Sequence, residues 1–207
     1  LGMGLCTVKF FPAEAAGGVA MLKAMSAPYG NMRFIPTGGI DLKNLSSYTA
    51  LPQVLACGGS FLVKKEWLAN REYDTITAAA RQTIAAMLHL HMGHIGVIAR
   101  DMEDCAQTAQ VLSDLLLVEK TGNAAGDAFM VGDFFEVLLH NTNGERGHVC
   151  IRTNDVPRAA MYFRRMGIEF LEETAQYEAD GTLRLIYCKD TWCGMGLHLL
   201  KTLPGEK

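Results

Sequence analysis

Between residues 8 and 88, strand-length apolar runs alternate with helix-length patterns three times, a rhythm that directs a chain into a parallel sheet covered by helices. The runs are 8–11, 33–36 and 54–57. Pro12 ends the first, because proline donates nothing to a sheet ladder. Gly38-Gly39 follows the second and Gly58-Gly59-Ser60 follows the third. Gly17-Gly18 opens a helical pattern of Val19, Met21, Leu22 and Met25. Asp41 reads as the N-cap of a helix carrying Leu42, Leu45 and Tyr48, stopped by Pro52. A single longer helix is expected over 65–88, with Trp67, Leu68, Ile76, Ala79, Ile84 and Met87 on one side. A barrel built from such units closes with eight of them, so three make a barrel fragment. The opening Leu1-Gly-Met-Gly-Leu5 lacks an initiating Met and reads as the end of a helix and its turn. The natural start is expected upstream.

The first run holds a lysine, Lys9, where a structural side chain is more often Val or Ile. A buried ammonium is costly unless paired, so its amine is pushed toward the neutral form. Neutral lysine is the nucleophile that condenses with a ketone to a Schiff base. Bringing its pKa from ~10.4 to neutrality takes roughly 4 kcal/mol of environmental bias. The glycine-rich strand ends expose backbone N–H groups suited to an anion such as phosphate, or else serve only as tight strand-to-helix turns.

The ordered set Val8-Lys9-Phe10-Phe11-Pro12-Ala13-Glu14, Pro36-Thr37-Gly38-Gly39-Ile40 and Gly58-Gly59-Ser60-Phe61-Leu62-Val63 resembles the C-terminal part of the 2-keto-3-deoxy-6-phosphogluconate (KDPG) / 4-hydroxy-2-oxoglutarate aldolase family, over about residues 1–84. The resemblance implies a class I aldolase that needs no cofactor. It would cleave a keto acid or sugar-acid phosphate by retro-aldol chemistry and release pyruvate. Lys9 would be the imine-forming residue. Gly38, Gly39 and Ser60 would hold a phosphate or carboxylate, with Thr37 and Phe11 lining the pocket. Phe10 and Phe11 read equally well as plain core. Glu14 reads as a surface or helix-start carboxylate. The family's proton-transferring glutamate and carboxylate-binding arginine fall on strands upstream of Leu1.

Past Leu88 the pattern changes. His89, His91 and His94 precede a strand at 95–98, a helix follows over 101–116, and strands are expected at 117–119, 128–131 and 134–140. After the polar turn 141–145 the series recurs, with a strand at 147–151, a helix over 155–166, and strands at 169–171, 183–189 and 196–201. The unit is βαβββ, used twice, and His94-Ile-Gly-Val97 is echoed by His148-Val-Cys-Ile151. This duplication resembles the vicinal-oxygen-chelate (glyoxalase-like) superfamily over about 91–203. The fold expected is thus α/β, a partial (β/α)8 TIM barrel (last three β/α units, 1–88) followed by an α+β vicinal-oxygen-chelate domain of two βαβββ modules (91–203).

In that superfamily metal ligands come from the first and last strand of each module, which implies His94 with Glu136 and His148 with His198. His198 stands where glutamate is more usual. Such a set suits Zn, Ni, Co, Mn or Fe. The alternatives for this half are a metal-dependent glyoxalase-like lyase or isomerase and a metal-free ligand-binding module. His89, His91 and His140 are read as linker or surface.

Bulk properties bound the rest. Of 207 residues, 49% are hydrophobic and 20% charged, the composition of a folded chain. A net charge of −3 argues against a nucleic-acid partner. Six scattered cysteines without a C-x-x-C pair point to reduced thiols and a cytoplasmic setting, and Cys188 with Cys193 is not read as a zinc site. The longest uncharged run, 44–63, contains Pro52, Gly58 and Gly59 and is not a membrane span. No signal peptide is visible. A homo-oligomer is expected.

Overall fold

A computed structural model describes residues 4–140 and 142–202 of the chain. The reading of Leu1 to Met3 as a helix end therefore lies outside the described residues, as do Asn141 of the expected turn and Leu203 at the end of the expected second domain. The chain divides into two compact units, Leu1–His89 and Leu90–Lys207.

In the first unit β1 (Thr7–Phe10) pairs in parallel with β2 (Arg33–Pro36), Val8 opposite Phe34 and Lys9 opposite Ile35. The helices are α1 (Gly18–Ser26), α2 (Leu45–Thr49), α3 (Lys65–Ala69) and α4 (Tyr73–Leu88). Alternation along β1 and β2 sends Val8, Phe10 and Phe34 to one face, where they pack with Leu22, Leu45, Tyr48 and Val54 in the core. Thr7, Lys9 and Ile35 stand on the other face.

Two expectations need correction. The third strand is not continuous and survives as parallel bridges Phe34–Val54 and Thr37–Gly58. The reason lies in β2. Leu55 N–H donates to Phe34 O at 3.0 Å and Gly58 N–H to Pro36 O at 2.9 Å, but Pro36 between them has no N–H to return. The single helix over 65–88 is two helices, because Arg71 turns left-handed (φ 57°) and Glu72 N–H closes back on Trp67 O at 2.8 Å. Asn70, a residue type common at helix ends, was the signal for that break.

The second unit is one eight-stranded sheet. Its elements are β3 (His91–Ile98), α5 (Met102–Leu116), β4 (Lys120–Gly122), β5 (Ala128–Val131), β6 (Phe135–Leu138), β7 (His148–Thr153), α6 (Val156–Arg165), β8 (Phe170–Tyr177), β9 (Leu183–Cys188) and β10 (Gly196–Lys201). The strand order is β4-β5-β6-β3-β7-β10-β9-β8. Within each module the first strand lies parallel to the last, β3 to β6 and β7 to β10. The modules meet through antiparallel β3 and β7. The two halves of the sheet thus repeat one topology about the β3–β7 pair.

The strand expected at 117–119 starts later. Leu117 is 91% exposed and takes a left-handed conformation that caps α5, so this apolar run ends a helix rather than opening a strand. The strand expected at 169–171 extends to Tyr177, and that at 95–98 begins already at His91.

Each module's helix starts on an aspartate cap: Asp101 accepts from Asp104 N–H at 2.8 Å and Asp155 from Arg158 N–H at 2.9 Å. An N-cap side chain satisfies a backbone donor that the helix leaves bare. Asp155→Ala is expected to lower the unfolding free energy by about 1 kcal/mol, and Asp155→Asn by clearly less, as read by urea denaturation.

Candidate functional site

The second unit gathers its polar core at one point. His94 (β3), His148 (β7) and His198 (β10) are 6%, 1% and 2% exposed, and one ring nitrogen of each lies within 4.8 Å of the others. His94 Nε2 and His148 Nε2 are 3.1 Å apart. Glu136 on β6 places Oε2 3.1 Å from His148 Nε2 and 3.4 Å from His94 Nε2. All four residues singled out in the duplicated pattern therefore meet on one side of the sheet.

Register explains the convergence. Glu136 is paired with Gly96, two residues after His94, and His198 is paired with Cys150, two residues after His148. The same offset in both modules sets each last-strand residue beside its first-strand partner. Gly96 is also opposite His148, and a Cβ there would fall 2.1 Å from the imidazole Cε1. The ring lies across β3 in space that no other residue would leave.

Hydrogen bonds from His148 and then His94 hold the Glu136 carboxyl well below the usual carboxylate range, against the opposing effect of burial. Burial, followed by the neighbouring His148 and His94, pushes His198 down to about 3, so its ring is neutral at ordinary pH. Both ring nitrogens of His198 and Nδ1 of His94 are buried without a hydrogen-bond partner. Bare imidazole nitrogens beside a carboxylate are the donor set of a divalent cation, and the residues fit such an ion. The three histidines could hold a metal.

Several residues around the cluster were not legible in the sequence. A cavity of about 420 Å³ opens over it, lined among others by Asn123, Asp127, Gln176, Arg184 and Tyr187. Tyr187 stacks on His198 (ring centroids 4.7 Å apart), and burial pushes its phenol up to about 12. Its signal was only the register of β9 against β10, which pairs Tyr187 with His198. Of the histidines read as linker or surface, His140 is exposed but lines this cavity, a placement the strand pattern missed. His89 caps α4 and His91 opens β3.

In the first unit the residues singled out lie along one edge. Lys9 is the penultimate residue of β1, Thr37-Gly38-Gly39 follows β2, and Ser60 begins a 3-10 turn just after the Thr37–Gly58 bridge. All stand at the C-terminal ends of parallel strands. Gly38 and Gly39 have positive φ (97° and 79°). A Cβ on Gly38 would approach the Phe11 ring to 3.0 Å, and one on Gly39 would come 2.6 Å from Glu14 Cβ. These glycines are therefore needed for close packing as well.

The expected burial of Lys9 is corrected. Its side chain is exposed, with Nζ 5.2 Å from the centroid of the 64%-exposed Phe11 ring. Alternation puts it on the face away from the helices, so the core does not desolvate it. Glu14 is also more than a surface carboxylate. It accepts a hydrogen bond from the fully buried Tyr48 hydroxyl, and burial followed by that bond pushes the Tyr48 phenol well above its ordinary range.

Residues 1–79 match the family model of KDPG and KHG aldolase. The 2-dehydro-3-deoxy-phosphogluconate aldolase of Dickeya dadantii is 55% identical over 87 residues, 41% of this chain and 41% of its own length. The KHG/KDPG aldolase of Escherichia coli is 50% identical over 86 residues, 41% and 40%. The chain spans about two fifths of the length of the curated relatives it matches. Among solved structures, KDPG aldolase from Legionella pneumophila, with pyruvate captured as a covalent carbinolamine, is 47% identical over 38% of each chain (TM-score 0.37). Methylmalonyl-CoA epimerase of Streptomyces coelicolor is 15% identical over 56% of this chain and 97% of that one (TM-score 0.39). The chain thus joins an aldolase-like segment to a sheet-rich unit of two βαβββ modules.

Gly96→Ala is expected to displace the His148 ring and weaken zinc binding at least about tenfold, since a misplaced ligand-orienting contact costs that much. Competition with a chromogenic chelator measures it, and Gly30→Ala, at a position with no atom within 4 Å of an added Cβ, is the control.

Proposed function

We propose that the first unit is the imine-forming part of a Schiff-base aldolase of the 2-dehydro-3-deoxy-6-phosphogluconate / 4-hydroxy-2-oxoglutarate type. In this reading residues 1–88 are the last three β/α units of a (β/α)8 barrel, and residues 91–203 a vicinal-oxygen-chelate domain. The observation that carries it is the shared edge: Lys9, Thr37, Gly38, Gly39 and Ser60 all stand at the C-terminal ends of parallel strands, where barrel enzymes place their chemistry. The matched family and relatives support it over the same residues.

The Lys9 amine, when neutral, attacks the keto carbon of a keto acid or sugar-acid phosphate, and loss of water gives an iminium. Loss of the β-hydroxyl proton to a base then breaks the bond between the α and β carbons, an aldehyde leaves, and the electron pair passes into the iminium; protonation of the resulting enamine on carbon and hydrolysis free pyruvate and Lys9. Backbone N–H groups at Gly38, Gly39 and Ser60 hold the distal anion, Thr37 and Phe11 line the pocket, and no cofactor takes part. Desolvation of Lys9 falls to the barrel strands that complete this face. The cysteines form no disulfide among the described residues, and no described helix is long and apolar enough to cross a membrane; a cytoplasmic homo-oligomer belongs to the same reading.

A second reading, for the second unit, is favoured by the two bare ring nitrogens of the buried His198. His94, Glu136, His148 and His198 would hold one divalent cation (Zn, Ni, Co, Mn or Fe), which when bound supplies a Lewis acid for substrate oxygens. The unit is then a metal-dependent lyase or isomerase. The competing metal-free binding module would keep Glu136 against a protonated histidine.

In a protein with the barrel complete, pyruvate and borohydride are expected to label Lys9 and neither Lys23 nor Lys43, as read by peptide mass spectrometry. Lys9→Arg abolishes the label, because a guanidinium stays protonated. Labelling of another lysine would remove the assignment. The 207-residue chain by itself is expected to release pyruvate at a negligible rate, and robust turnover would contradict the three-unit reading.

Elemental analysis is expected to find one divalent ion per chain. His148→Ala loses that ion while His89→Ala keeps it; a metal-free wild type would favour the binding module.

A further inference from the structure

The cavity over the histidines is charged unequally from end to end. β4 and β8 are the outermost strands of the eight-stranded sheet, so residues beside them reach the cavity from opposite flanks of the β3–β7 pair. At one end Arg184 on β9 and Gln176 on β8 line the cavity. Arg184 Nη1 donates to Gln176 Oε1 at 3.4 Å, and among the described residues no carboxylate pairs with it. Arg100, Arg158 and Arg164, by contrast, each pair with an acid. At the other end Asp127, just ahead of β5, accepts from Asn123 Nδ2 at 2.6 Å. Between the two ends lie the bare ring nitrogens of His198, buried and facing the same cavity.

A guanidinium in a cleft with only a neutral amide for company is a bidentate seat for a carboxylate. At the far end the Asp127 carboxylate, steadied by the Asn123 amide, accepts hydrogen bonds from hydroxyls and repels a second anion. The cavity's 420 Å³ falls in the ~300–1,000 Å³ range of small-molecule sites.

We propose that this cavity takes a small, unphosphorylated hydroxy acid, its carboxylate held by Arg184 and its hydroxyl groups turned toward Asn123 and Asp127. The middle of the chain then presents its oxygens to the histidine cluster. The proposal rests on reading that cluster as a metal centre. It differs from the aldolase assignment in excluding phosphate: one arginine seats one anion, and a terminal phosphate would be driven against Asp127.

The test uses the full chain, zinc-loaded and metal-free, with zinc content measured first. Titration calorimetry then compares gluconate, the neutral polyol sorbitol and 6-phosphogluconate. Gluconate is expected to bind the zinc-loaded chain at least about tenfold more tightly than either of the others, a single charge-assisted contact being worth that much. Arg184→Gln, at unchanged zinc content and melting temperature, loses about tenfold toward gluconate and nothing toward sorbitol. Asp127→Asn narrows the gap between gluconate and 6-phosphogluconate. Equal gluconate affinity in wild type and Arg184→Gln, tighter binding of 6-phosphogluconate, or no gluconate binding by the zinc-loaded chain would each overturn the proposal. If the chain takes up no zinc, the metal reading fails by itself. An arginine-dependent preference for gluconate in the metal-free chain then still upholds the acid site, and its absence overturns it.

Discussion

The second unit depends on how closely β3 and β7 approach each other. That antiparallel pair carries the first histidine of each module, and it brings His94 Nε2 and His148 Nε2 to 3.1 Å. Gly96 permits it, because the His148 imidazole occupies the volume a Cβ would need. Everything else at the site follows from pairing outward from these strands. β6 delivers Glu136 against one side of the pair, and β10 delivers His198 against the other. The three histidines are buried, and bare polar atoms so placed are expensive unless something compensates them. That cost makes the orphaned nitrogens of His198 the most informative atoms in the unit.

Much of this was legible because duplication doubles the signal. One histidine ahead of a strand says little, but a histidine at the same place in two copies of βαβββ marks a face, and period-two alternation tells which residues share it. Gly96 was visible only as a small residue inside the repeated motif His94-Ile-Gly-Val97. Its role depends on the register of β3 against β7, which no local pattern encodes. Arg184, Asp127 and Tyr187 were missed for the same reason: they reach the cavity from strands whose pairing joins distant parts of the chain. Boundary errors had local causes, such as the apolar run at Leu115 to Val118 that ends a helix, and Pro36, which interrupts the third strand's ladder.

The first unit shows a different relation between motif and environment. Its strands place Lys9 and the glycine turns on one edge, as the order of the three motifs implied. The physical condition that would make the lysine a nucleophile at neutral pH, desolvation, is not met by its own neighbours. Lys9 stands on the face away from the core, over an exposed phenylalanine. Geometry can thus be encoded by a short segment that does not itself supply the environment for reactivity. The Glu14–Tyr48 bond, by contrast, is complete within the segment. It ties the turn after β1 to α2 and fixes the space that Gly18 and Gly39 must leave open.

The repeated topology has one more consequence. Each module contributes one first-strand and one last-strand residue to the cluster, and the parallel pairs that set them side by side, β3 with β6 and β7 with β10, are internal to a module. Among the described strands, the pairing that joins the halves is β3 with β7. Parting β3 from β7 would therefore leave His94 with Glu136 on one side and His148 with His198 on the other. The cluster is thus a property of the seam between the modules rather than of either module.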